Sequence, residues 1–202
     1  RSLVGSEMCI RDSYKGVRTL YVDALIGKGL QLEHAGRHRE AAACYREVFQ
    51  YPRNIGVGEP YFKANAEALY RIGLALERAR DKSAAQRHWR LAAREKHAGW
   101  SSLEYYRARA LQKLGRRREA AAVLDGLLQW AVQNLEQGRG SAAENHYLAG
   151  LALKGKGEAA KARSRFRAAL AADPSHRRAR WETGGFSGEQ PAAFASAGLR
   201  SR

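Results

Sequence analysis

Six histidines, two cysteines and a large surplus of arginine are the side chains of this sequence whose types invite a chemical reading. His34 and His38 stand four residues apart, the spacing that places two imidazoles on one helical face for metal ligation, but Gly36 lies between them and breaks the face. His88, His97, His146 and His176 are not paired within any one helix. Cys9 and Cys44 give neither a disulfide framework nor metal-ligand spacing, and Cys44, beside Tyr45, reads as a small buried hydrophobe. There is no G-x-S-x-G elbow, no Walker-type loop and no C-x-x-C. The glycines of GRG at 138–140 and GKG at 155–157 follow no strand, so they are not phosphate cradles. These observations predict no catalytic group, no metal and no cofactor: the chain is not expected to be an enzyme.

Charge is the remaining lever. With 36 Lys and Arg against 20 Asp and Glu, the formal net charge is +16, which draws acidic proteins, nucleic acid or anionic surfaces over long range. The cations are spread over Arg37, Arg39, Arg87, Arg90, Arg94, Arg116, Arg117, Arg118, Arg163, Arg165, Arg167, Arg177, Arg178 and Arg180. That spread fits solvated helix faces and salt-dependent adhesion better than one specific site, so a nucleic-acid partner is the weaker expectation. No run of about 18 apolar residues offers a membrane span, and no secretory leader is legible; a cytoplasmic location is expected.

The composition is rich in Ala, Leu, Arg and Gly and poor in β-branched residues, which favours helices over a sheet. The stretch 148–174, LAGLALKGKGEAAKARSRFRAALAADP, shows how such helices are arranged. Gly150, Leu153, Gly157, Ala162, Phe166, Ala169 and Pro174 are spaced so that two short helices meet at Gly157, cross where only Ala162 is small enough, and stop at Asp173-Pro174. This spacing resembles the tetratricopeptide repeat, whose period is about 34 residues. Three further copies follow with Gly36, Arg80 and Gly115 as the turns equivalent to Gly157. The first has Leu25, Gly29, Leu32, Ala41, Tyr45 and Val48; the second Leu69, Gly73, Leu76, Ala85, Trp89 and Ala92. The third, most degenerate copy keeps Ala108, Leu111, Ala120, Leu124 and Leu127. Arg80 in place of glycine implies a small steric cost if that turn is left-handed.

The expected fold is all-α, a right-handed α-solenoid of four tetratricopeptide-like helix pairs over residues 14–183, closed by a short helix at 175–183 with Trp181 over the last apolar face. Residues 1–13 fit no repeat and resemble a non-native segment; residues 184–202 are expected to be disordered. Asp81 reads as an N-cap, and Ser101–Glu104 and Ser141–Glu144 read as capping boxes. The loop at 51–62, with two prolines and two glycines, is expected to fold back on the helices. The helix after Gly115 is expected to run on to about Glu136.

In the tetratricopeptide family the first helix of each pair lines a concave groove. Carried over position by position, the resemblance places Asp23, Ile26, Leu30 and Glu33 on that face. The same rows fall on Glu67, Tyr70, Leu74 and Glu77, on Ser102, Tyr105, Arg109 and Gln112, and on Glu144, Tyr147, Leu151 and Lys154. It implies a protein or peptide partner held by Glu67, Tyr70, Leu74, Tyr105, Arg109, Glu144, Tyr147 and Leu151, with the three tyrosines forming one row. The alternative is that the tyrosines only pack between neighbouring repeats. The chaperone carboxylate clamp of some family members is not implied, because Ile26 and Leu30 occupy its positions. The order YPRNIGVGEP, YRIGLALERARDKSAAQRHW, SSLEYYRARALQKLGRRREAA, LLQWAVQNLE and HYLAGLALKGKGEAAKARSRFRAALAADPSHRRA, within residues 36–182, also resembles the C-terminal repeats of large bacterial proteins with a mutarotase-like N-terminal domain. That resemblance implies a fragment of a longer, carbohydrate-related protein as the alternative to an interaction scaffold.

Overall fold

The computed structural model describes residues 4–50, 65–95 and 99–184, with side chains from residue 17 onward. The loop expected to fold back at 51–62 and the tail from residue 185 lie outside the described residues. Within them every regular element is helical: α1 (Val4–His34), α2 (His38–Arg46) followed by a 3₁₀ turn (Glu47–Phe49), α3 (Ala66–Arg78), α4 (Lys82–Arg94), α5 (Ser102–Lys113), α6 (Arg117–Glu136), α7 (Ala142–Gly155), α8 (Ala159–Ala172) and α9 (Arg177–Glu182). The chain divides into two compact units, Arg1–Leu127 and Leu128–Arg202, with the division inside α6. In the first unit α2 packs against α1 and α3, and α4 against α3 and α5, while α3 and α5 also meet directly. In the second, α8 packs against α7 and α9.

One turn design joins every helix pair. Gly36, Arg80, Gly115 and Gly157 have φ of 73°, 66°, 78° and 85°, the left-handed conformation that stops a helix. The amide one residue later donates back to the carbonyl five residues earlier: Arg37 to Leu32, Asp81 to Leu76, Arg116 to Leu111 and Glu158 to Leu153. The left-handed residue's own amide donates to Glu33, Glu77, Gln112 and Lys154 respectively. Each turn therefore satisfies carbonyls that the helix end would otherwise orphan. Arg80 adopts the geometry without glycine's freedom, as its place in the repeat predicts.

Each second helix closes on the first through a small residue and a large one. Gly29, Gly73 and Gly150 have no room for a Cβ: one built there would lie 2.1 Å from Tyr45, 2.3 Å from Trp89 and 2.5 Å from Phe166. Ala41, Ala85 and Ala162, one helical turn before these rings, are buried with them. At the same spacing the third pair has Ala108, Ala120 and Leu124, all buried.

Helix starts are only partly as expected. Asp81 accepts from the Ala84 amide at 3.0 Å, Ser101 from Leu103 at 3.3 Å and Ser141 from Glu144 at 3.3 Å. In neither predicted capping box does the glutamate reach back: Glu104 is bonded to Arg107 and Glu144 to His176. The second helix of the first pair is short and ends in 3₁₀ geometry. α1 begins at Val4, inside the segment 1–13 that fits no repeat. At the chain's other described end, Ala179 is the fully buried residue of α9, and Trp181 is only half-buried.

Candidate partner-binding face

In the first unit, the first helices α3 and α5 bring together Glu67, Tyr70 and Leu74 from one and Tyr105 and Arg109 from the other. Asn65 starts α3 by accepting the Ala68 amide at 2.9 Å, which puts Glu67 in the first turn, where the helix dipole favours a carboxylate. Glu67 is 1% exposed and is bonded at 2.9 Å by the Arg71 Nε one turn later. The Arg71 Nη2 then crosses to α5 and donates to the Tyr106 hydroxyl at 2.9 Å, and its guanidinium lies 5.2 Å from the centre of that ring.

Tyr106 is the hub. Its ring meets Tyr70 at 6.0 Å in a tilted contact and Tyr105 at 5.0 Å edge to face. Arg109 closes the circuit: Nε donates to the Tyr70 hydroxyl at 3.4 Å, and the guanidinium stands 6.0 Å from the Tyr105 ring centre. The three rings are each about 95% buried, whereas Arg109 and Leu74 are half-buried. Burial acts to lower the Arg71 pKa, but Tyr106, Glu67 and Tyr45 outweigh it and hold the guanidinium charged, well above its ordinary value. The rings thus form a filled floor between two helices, and Arg109 and Leu74 form its accessible edge.

Ion pairs stitch the ends of successive first helices. Glu33 of α1 accepts from both the Tyr45 hydroxyl, at 2.9 Å, and Arg78 of α3. Glu77 of α3 is paired with Lys113 of α5, whose ammonium also lies 5.0 Å from the Trp89 ring centre. Glu33 and Glu77, which share a row with Gln112 and Lys154, are therefore both engaged by neighbouring helices.

The second unit holds Glu144, Tyr147 and Leu151 on α7. Leu151 is fully buried and Tyr147 is 2% exposed, with its ring against Phe166 at 6.0 Å and His176 at 4.9 Å. These two residues build the unit's core, which for Tyr147 is the packing alternative weighed against a partner-holding row. Glu144 is exposed and accepts from the His176 Nε2 at 3.0 Å. The other ring nitrogen, Nδ1, accepts the Ala179 amide at 3.1 Å, so the proton resides on Nε2 and His176 caps α9 while binding α7. Lys154 pairs with Glu182 at the far end of the same two helices.

Arg71 and Tyr106 are the site residues that reading the sequence missed. Their signals were present: Arg71 lies one turn after Glu67, the spacing of a helical ion pair, and Tyr106 adjoins Tyr105. Among the described residues no three His, Cys, Asp or Glu side chains gather as a metal site, and no helix is long and apolar enough to cross a membrane.

No protein-family model matches the chain, and no curated protein matches it in sequence. Among solved structures it is similar to MamA 41-end from Desulfovibrio magneticus RS-1, at 20% identity and a TM-score of 0.33 over 82% of each chain. A MamA RS-1 ArsTM double mutant is similar at the same identity and coverage, with a TM-score of 0.32. Both likenesses are loose and supply neither a residue role nor a partner. Nothing in these comparisons supports the mutarotase-linked resemblance.

Proposed function

We propose that this chain is a non-catalytic, tetratricopeptide-like interaction domain of the cytoplasm that binds a protein or peptide along the α3–α5 face of its first unit. The observation that carries this reading is the half-buried Arg109, held by the Tyr70 hydroxyl and the Tyr105 ring. An arginine fixed in this way loses little side-chain freedom when it meets a carboxylate or a carbonyl, and Leu74 beside it offers apolar contact. Glu67, Tyr70 and Tyr105 serve as support, since any partner reaches them only through the edge. In the second unit, Glu144 is the exposed member of its row and would contribute a separate polar contact.

The test is affinity capture from the cells that express the protein, comparing wild type with Arg109→Ala and Leu74→Ala. Loss of the same captured protein in both variants, with unchanged helical circular dichroism, supports the face. Identical capture by all three proteins removes it.

A further inference from the structure

We infer a second docking surface, on the outer side of α4, whose partner is an acidic helical segment carrying one apolar side chain among its carboxylates. The helix KSAAQRHWRLAAR buries Ala84, Ala85, Trp89, Ala92 and Ala93 against its neighbours. Its opposite side exposes Arg87, Arg90, Leu91 and Arg94, which follow one another at the i, i+3, i+4, i+7 positions of a single helical face. Leu91 is 50% exposed, one of three large hydrophobic residues so placed among the described residues.

Part of the protein's other cationic surface is already neutralised. Arg37, Arg71, Arg78, Arg107 and Arg116 are each paired with a glutamate. No acidic residue occurs within α4. The carboxylates near it stand at its two ends. Asp81 is engaged by the Ala84 amide and Ser83 at the first turn, where it also feels the charge of Arg87, and Glu95 is half-buried at the C-cap, where burial raises its pKa. α8 of the second unit is equally free of acid and exposes Arg163 and Arg167, but its Lys161 is paired with Glu158, its Arg165 is bonded to His146, and it exposes no large apolar residue to complete such a stripe.

Charge complementarity selects the partner. From Arg87 to Arg94 the stripe is about 10 Å long, two helical turns, and matches two or three carboxylates at the same helical spacing. Nucleic-acid affinity is built from many phosphate contacts, more than a two-turn stripe supplies, and phosphates gain nothing from an exposed leucine. A second copy of this chain is disfavoured by its own charge of +16. An acidic amphipathic segment satisfies the cations and covers Leu91 together.

The full chain is titrated with a fluorescent alanine-based helical peptide carrying glutamates around a single leucine on one face, with its glutamine-for-glutamate counterpart, and with a short oligothymidylate. Binding of the glutamate peptide is expected, weakening as salt rises. The charge-reversed variant Arg87→Glu/Arg90→Glu/Arg94→Glu should lose about tenfold in affinity or more, as three exposed pairs predict. Leu91→Ser should lose a smaller factor. Arg109→Ala should leave this binding unchanged, which separates the surface from the α3–α5 face. No affinity for the glutamate peptide, equal affinity for the glutamine peptide, or loss in Arg109→Ala but not in the α4 variant would each overturn the proposal. So would preferential binding of the oligonucleotide through the same arginines.

Discussion

The Trp89 indole occupies the space that any side chain at residue 73 would need: a Cβ built on Gly73 falls 2.3 Å from its Nε1. The same nitrogen donates to the Tyr70 carbonyl at 3.3 Å, so the ring is held and cannot swing clear. Gly73→Ala should therefore destabilise the first unit by about 1–3 kcal/mol through overpacking, read as a lower urea midpoint at unchanged m-value. Adding Trp89→Leu should recover part of that loss, because the smaller leucine gives back the space that the indole takes beside residue 73. A double variant no better than the sum of its singles would deny the pairing.

Arg80 carries φ of +66° and is the non-glycine residue among the four equivalent left-handed turns. Arg80→Gly should relieve the strain and raise stability by about 0.5–1 kcal/mol, net of the freedom glycine adds to the unfolded chain. Gly115→Arg at the equivalent turn should lower it by a similar amount. Thermal melts of the two variants test both signs.

Glu67 and Arg71 have side chains only 2% and 14% exposed. Removing one partner leaves a charge in a poorly solvated place, so Glu67→Leu should cost about 3 kcal/mol. The combined Glu67→Leu/Arg71→Met replaces the ion pair by apolar side chains and should cost less than the single change. Chemical denaturation of the three proteins decides the order. Tyr106→Phe, which removes the acceptor of Arg71 but keeps the ring, should cost about 1 kcal/mol.

His146 has its pKa lowered, first by burial and then by the nearby Arg165, which donates to its Nδ1 at 3.3 Å. The unfolded chain therefore binds a proton at this residue more readily than the folded one. The stability this residue contributes is full above the unfolded value of about 6.5 and declines as pH falls from there toward the lower folded value. His146→Gln should flatten that part of the stability profile, measured by urea unfolding at stepped pH.

The repeat's small and large positions were legible in the sequence because packing volume is written in residue type, but the reading put the close crossing at Ala162, whereas the rings of Tyr45, Trp89 and Phe166 lie against Gly29, Gly73 and Gly150. The left-handed turns were legible for the same reason, even at Arg80. Burial of the tyrosine row was not. Position on a helix says which way Tyr70 and Tyr105 point, but Tyr106 and Arg71, outside that row, fill the gap between α3 and α5. The capping boxes were half legible: Ser101 and Ser141 cap as their types require, while Arg107 and His176 compete for the glutamates. Leu151, placed in an open row by analogy, lies in the core because α7 is apolar on nearly all sides.

α9 does more than shield a last face. Through His176 to Glu144 and Lys154 to Glu182 it grips both ends of α7, as α3 and α5 are joined in the other unit. Its six residues thus stand in for the first helix of a fifth pair. Anyone trimming this protein for expression should keep the chain through Glu182. Cutting at Pro174, where the repeat formally closes, would strip the imidazole from Tyr147, turn a core ring into a wet one, and yield a sticky fragment.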